Sequence, residues 1–147
     1  MPRLFDRLVH TGLLTLLAAT ALCGCSSKQD RIPVYQVKGS VTFEGRPLAN
    51  ALIVLHPKSA SGKLDYSSQG KTDASGEFQV TTYDTNDGAP VGEYAVTVQY
   101  YELITNGSSS EPGPNILAPK YATPQTTDIF VTVKAEPNVL PPINVSR

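Results

Sequence analysis

From Val34 onward, apolar and polar residues alternate in short runs separated by clusters of turn formers. Successive side chains of a strand point to opposite faces, so such runs predict half-buried β-strands. "VKGSVTF" puts Val37, Gly39, Val41 and Phe43 on one face, and "EGRP" after it reads as a turn. "ALIVLHP" is more continuously apolar, with Ile53 and Leu55 as its inward residues. "SSQGKTD" is polar and predicts an edge strand. "EFQVTTY" sets Phe78 and Val80 against Gln79 and Thr81, and "GAPVG" reads as a turn. "EYAVTVQYY" sets Tyr94, Val96, Val98 and Tyr100 against Ala95, Thr97, Gln99 and Tyr101. "DIFVTVK" sets Ile129, Val131 and Val133 against Phe130 and Thr132. "NVLPPINV" closes the chain as an edge strand, because Pro141 and Pro142 donate no ladder hydrogen bond. The stretch "LITNGSSSEPGPNILAPKYATPQTT" lacks alternation and reads as a long ordered loop, of a length that often carries function. No run has helical period. About seven short strands with regular turn signals predict an all-β fold, a seven-stranded β-sandwich over residues 34–147.

The N-terminus has a different pattern. Arg3 and Arg7 precede an apolar run from Leu13 to Leu22, shorter than the roughly 20 residues a spanning helix needs. It reads as a secretory signal. Its end, Leu22-Cys23-Gly24-Cys25, resembles a bacterial lipobox. The resemblance implies a signal peptide over residues 1–24, lipid on the Cys25 thiol, and cleavage before Cys25. Residues 25–33 are then a lipidated cysteine and a short polar tether, reaching about 25–30 Å when extended. Both cysteines of the chain are consumed in this way, so the mature chain offers no thiol nucleophile, disulfide or cysteine metal ligand. The implied location is outside the cytoplasm, anchored to the bacterial cell envelope, with the lipid bilayer as a partner.

Composition narrows the rest. A net charge of -1 gives no basic balance for nucleic acid. His56 is the one histidine after the signal segment, and alternation places it outward near a strand end. No nucleophile elbow, phosphate loop or zinc-ligand cluster occurs. "KTDASGEF" and "DTNDGA" have the oxygen-rich look of calcium loops, but glycine falls at the wrong position in both. The first reads as a hairpin turn, with Asp73 accepting from backbone amides and Gly76 taking a positive φ. A shared calcium site using Asp84 and Asp87 is a weaker alternative. Asn106-Gly107-Ser108 matches the glycosylation pattern, a weak signal in a bacterial protein.

The succession "VKGSVTFEGRPLANALIVLHP", "GKTDASGEFQVTT", "GAPVGEYAVTV", "PKYATP" resembles the carboxypeptidase regulatory-like domain of small bacterial lipoproteins. The resemblance covers roughly residues 35–145. It implies a transthyretin-like, immunoglobulin-like sandwich whose shared residues are structural, among them Gly39, Gly45, Pro47, Pro57, Asp73, Gly76, Phe78, Gly92 and Tyr94. It brings no catalytic residues, no metal and no cofactor. The expected function is a non-catalytic envelope module, structural or protein-binding. The alternative is a surface glycan binder, in which outward Tyr101 and Phe130, with Tyr83 and Tyr121 near loops, stack on sugar faces. The chain has no tryptophan, the best platform for such stacking.

Overall fold

The computed structural model describes residues 31–58 and 67–147. The expected signal peptide, Leu22, Cys23, Gly24, the lipidation site Cys25 and the tether as far as Asp30 lie outside the described residues. The strands in chain order are β1 (Val34–Tyr35), β2 (Val37–Phe43), β3 (Arg46–Pro47), β4 (Leu52–Pro57), β5 (Ser68–Lys71) and β6 (Glu77–Gln79). They continue with β7 (Ala89–Pro90), β8 (Gly92–Gln99), β9 (Tyr101–Asn106), β10 (Ser109–Asn115), β11 (Phe130–Val133), β12 (Asn138–Val139) and β13 (Ile143–Val145). One 3-10 turn, Pro119–Tyr121, follows β10.

These strands form an all-β sandwich. The first sheet has the order β11-β8-β4-β5 and is antiparallel throughout. The second is built on β2, which pairs antiparallel with β3 and β6 and parallel with β12 and β13. The alternation read from the sequence supplies the core between them. Val37 and Val41 of β2, Phe78 of β6 and Ile143 and Val145 of β13 meet Ile53, Leu55, Tyr94, Val96, Val98 and Val133 of the other sheet. Burying each such aliphatic side chain is worth roughly 1.5–3 kcal/mol, which sets the registers of both sheets. The β-segments are shorter and more numerous than the seven sequence runs, because bends and prolines interrupt the pairing. The last run is an example. Pro141 and Pro142 split it into β12 and β13, each laddered to β2.

Three local expectations change. "GAPVG" is more than a turn, because Ala89–Pro90 pairs with Val34–Tyr35 across the entry of the chain. Ala95 and Thr97, read as a polar outer face, are buried at 5% and 2% exposure. Both are small residues on the inner strand β8, and Ala95 lies between the larger cross-strand neighbours His56 and Phe130. The stretch read as a long loop contains a hairpin, β9 with β10, turned at Gly107-Ser108. Every residue of β9 is exposed, so its ladder rests on backbone hydrogen bonds and leaves no mark in the side-chain pattern.

The two sheets meet at the turn in "KTDASGEF". Asp73 N–H donates to the Glu77 carbonyl at 2.8 Å, and Gly76 N–H to the Asp73 carbonyl at 3.0 Å. Further back, Gln69 and Thr81 exchange backbone bonds of 3.0 and 2.7 Å. Between these points β5 ladders with β4 and β6 with β2. The expected hairpin is therefore a corner, where the chain passes from one sheet to the other.

Candidate functional site

The candidate turn residues behave as backbone devices. Asp73 Oδ1 accepts from Ser75 N at 2.8 Å, Glu77 N at 3.0 Å and Ser75 Oγ at 2.7 Å. The Ser75 hydroxyl and these amides hold the Asp73 carboxyl below the usual carboxylate range. Gly76 sits at φ 79°, and a methyl there would stand 2.7 Å from the Val41 carbonyl oxygen. Asp87 does the same work at the other end of the sandwich. Its Oδ1 accepts from Thr82 N at 2.7 Å, and its Oδ2 from Tyr83 N at 3.0 Å and Asp84 N at 2.9 Å. Burial pushes the Asp87 carboxyl up, and the bonds from Thr82, Asp84 and Tyr83 outweigh it and hold it below the usual range. Both carboxylates are thus engaged in organising turns. Among the described residues no three His, Cys, Asp or Glu side chains gather as a metal site.

His56 is half-buried near the end of β4 and outside the core. Its Nε2 lies 3.0 Å from Thr97 Oγ1, and burial lowers its pKa from the ordinary value.

The four aromatic candidates are dispersed. Tyr101 is 45% exposed at the root of the hairpin, and its hydroxyl donates to Gln99 Oε1 at 3.2 Å. Phe130 is 55% exposed on the edge strand β11, with Lys58 Nζ 4.4 Å from its ring centroid. Its register partner is Ala95, six residues before Tyr101, which separates the two rings by about 20 Å along the sheet. Tyr83 is half-buried at the opposite end of the sandwich from Tyr101, and its hydroxyl accepts from Ile32 N at 3.3 Å. Tyr121, read as a loop residue, is 4% exposed. The 3-10 turn swings its ring into the core and leaves no face open for a ligand. Neighbouring Lys120 bonds Asp128 at 2.6 Å and stands 4.8 Å over that ring, which pins the loop.

A concave surface does exist elsewhere. A groove of about 950 Å³ crosses the outer face from β12 over β2 and β6 to β5 and β4. Lys38, Gln79, Gln69 and Lys71 are all outward, exposed residues of these strands and line it together. Gln79 is the register partner of Lys38, and Glu77 that of Ser40. Alternation sets Gln79 opposite Phe78 and Val80, while "SSQGKTD", with Gln69 and Lys71, reads only as a polar edge. The convergence of the lining side chains depends on sheet order, because β5 and β6 are paired to different sheets and meet only at the corner.

No family model matches the chain, and no curated protein matches it. Four solved chains match, and three of them show the range. A candidate carbohydrate-binding protein from Pseudomonas aeruginosa matches with a TM-score of 0.41 and 14% identity, over 79% of this chain and 90% of that one. A DUF3823 family protein from Parabacteroides merdae matches with a TM-score of 0.40 and 13% identity, over 79% of this chain and 46% of that one. A 9R-lipoxygenase from Cyanothece matches with a TM-score of 0.41 and 16% identity, over 96% of this chain and 23% of that one.

Proposed function

We propose that this chain is an exported bacterial lipoprotein. Cys25 carries its lipid anchor, and the sandwich is a non-catalytic binding or structural module of the cell envelope, held at the membrane outside the cytoplasm. The observation that carries this reading is the apolar run from Leu13 to Leu22 ending in Leu22-Cys23-Gly24-Cys25. Two or more acyl chains anchor firmly, at roughly 0.8 kcal/mol per buried methylene.

The layout of the sandwich is consistent with a tethered module. The chain enters through β1, whose Val34 pairs with Pro90 just before β8 begins. The exposed hairpin leaves just after β8 ends at Gln99. A strand of this length separates entry and arm by about 25 Å. An anchored entry would leave the hairpin end free to face an envelope partner.

We also assign the sandwich to the carboxypeptidase regulatory-like group. Three residues shared with that group have structural work here. Asp73 organises the corner turn, Gly39 makes room for the Phe78 ring, and Tyr94 ties β8 to Pro90.

The test is metabolic labelling of expressing cells with a fatty-acid analogue. Wild-type chain should take up label and fractionate with membranes, and Cys25→Ala should do neither. Labelling that persists in Cys25→Ala would overturn the anchor.

A further inference from the structure

The groove over β2, β6 and β5 holds hydrogen-bonding side chains that the fold does not use. Among the described residues every buried polar side-chain atom has a hydrogen-bond partner, and the turn carboxylates are spent on backbone amides. By contrast, the side chains of Lys38, Gln69, Lys71, Glu77 and Gln79 enter no hydrogen bond or ion pair among the described residues. They stand on three adjacent strands in one depression. Two carboxamides supply paired donors and acceptors, two ammonium groups supply donors, and Glu77 supplies acceptors.

Charge narrows the ligand. Within the groove Lys38 and Lys71 face Glu77 and Asp73, so the formal charges cancel. A polyanion would need a positive excess. Apolar surface from Leu52, Phe78, Leu140, Pro142 and the 70%-exposed Val139 lies among these polar groups, so the lining is mixed. A surface that sets balanced donors and acceptors beside apolar patches suits a chain of hydroxyls and C–H faces. The groove runs across β12, β2 and β6 and round the corner onto β5 and β4, so it is an elongated trough and not a pit for one small molecule. Its volume lies within the range of ligand sites.

We propose that this groove binds an uncharged polysaccharide chain. Gln69 and Gln79 grip sugar hydroxyls bidentately from the floor, and Lys38 and Lys71 donate from either side. The site differs from an aromatic platform, and Tyr101 plays no part in it. The inference rests on the sandwich being a binding module, and it is independent of the anchor on Cys25.

The test uses the full chain in detergent micelles, titrated with maltohexaose, cellohexaose, laminarihexaose and chitohexaose, with polygalacturonate as the acidic comparison. At least one uncharged oligosaccharide should bind, with little dependence on salt. Gln69→Ala and Gln79→Ala should each weaken it at least tenfold, while Tyr101→Ala leaves it unchanged. Both glutamines are exposed, so the variants should keep the wild-type circular dichroism. Ser40→Tyr, which fills the groove without removing an amide, should block binding as well. Three results would each overturn the proposal: no binding of any uncharged probe, binding of polygalacturonate alone, or full binding by the Gln69→Ala/Gln79→Ala double variant. Loss of fatty-acid labelling in Cys25→Ala would leave these outcomes untouched, so the two readings fail separately.

Discussion

The Tyr94 hydroxyl donates to the Pro90 carbonyl at 2.7 Å, inside the core, four residues back along the chain. This is the geometry of a tyrosine corner, in which a buried ring at the start of a strand ties down the turn before it. Here the turn contains β7, which holds β1 and therefore the entry of the chain. Tyr94→Phe keeps the ring and leaves a buried carbonyl short of a donor. The cost should be roughly 1–2 kcal/mol. Urea unfolding should show a lower midpoint with an unchanged slope, and an unchanged midpoint would remove the corner from the account.

Gly88 should be the least replaceable glycine. Its φ is 102°, and a methyl on it would fall 1.7 Å from the Tyr35 carbonyl oxygen. Gly45 provides the control, since its φ is 81° and nothing lies within 4 Å of the added methyl. Gly45→Ala should cost about 1–2 kcal/mol for the left-handed backbone alone. Gly88→Ala adds a clash with backbone and should unfold the protein or lower its melting temperature far more. Equal losses in thermal melts would show that β1 does not pack as described.

Asp87 makes stability depend on acid. Its folded-state pKa lies below the ordinary carboxylate value, so it stabilises the fold above the unfolded value, near 4. That contribution is lost as pH falls through the lowered folded value. Asp87→Ala should cost roughly 1–3 kcal/mol at neutral pH, through amides that lose a charged acceptor. The gap between wild type and variant should narrow in more acidic buffer, as urea midpoints measured across the range will show. A gap independent of pH would mean the carboxylate acts only by its shape.

The core strands were legible because their large apolar residues recur at every second position. Val37 and Val41, Ile53 and Leu55, and Tyr94, Val96 and Val98 all announce themselves by period two, and all are in the core. The turn at Asp73 was legible because an aspartate and a glycine at that spacing have a mechanism. The hairpin was not, because Tyr101–Asn106 buries neither face. Its one sequence signal was Asn106-Gly107, a dipeptide suited to tight hairpin turns. Tyr121 was misplaced for a related reason, since a single aromatic in an irregular loop has no period to show which way it turns. The groove needs sheet order, which alternation does not contain.

His56 gives a second pH signature in a different range. Burial lowers its pKa, so the unfolded chain binds the proton more readily than the folded one. Stability is full above the ordinary histidine value, about 6.5, and declines as pH falls from there through the lowered folded value. His56→Gln keeps a polar group near Thr97 and cannot titrate in that range. Its stability should stay flat between about pH 7 and 5 where wild type declines. Parallel profiles would assign the decline to another group.

Asn115 should matter more than the arm it closes. Its Oδ1 accepts from Tyr100 N at 3.1 Å and Leu117 N at 3.2 Å, which draws both sides of the hairpin root together. Leu117 beyond it is in the core at 4% exposure. The arm itself is exposed along β9 and across most of β10, so it contributes little burial. Replacing residues 103–112 with a short glycine–serine link should change stability by less than about 1 kcal/mol, since loop closure depends weakly on length. Asn115→Ala keeps the arm and removes the acceptor that two part-buried amides share, and it should cost about 1–3 kcal/mol. Chemical unfolding of the two variants side by side decides the matter. A larger loss from the arm deletion would show that the hairpin packs on the sandwich and does not project from it.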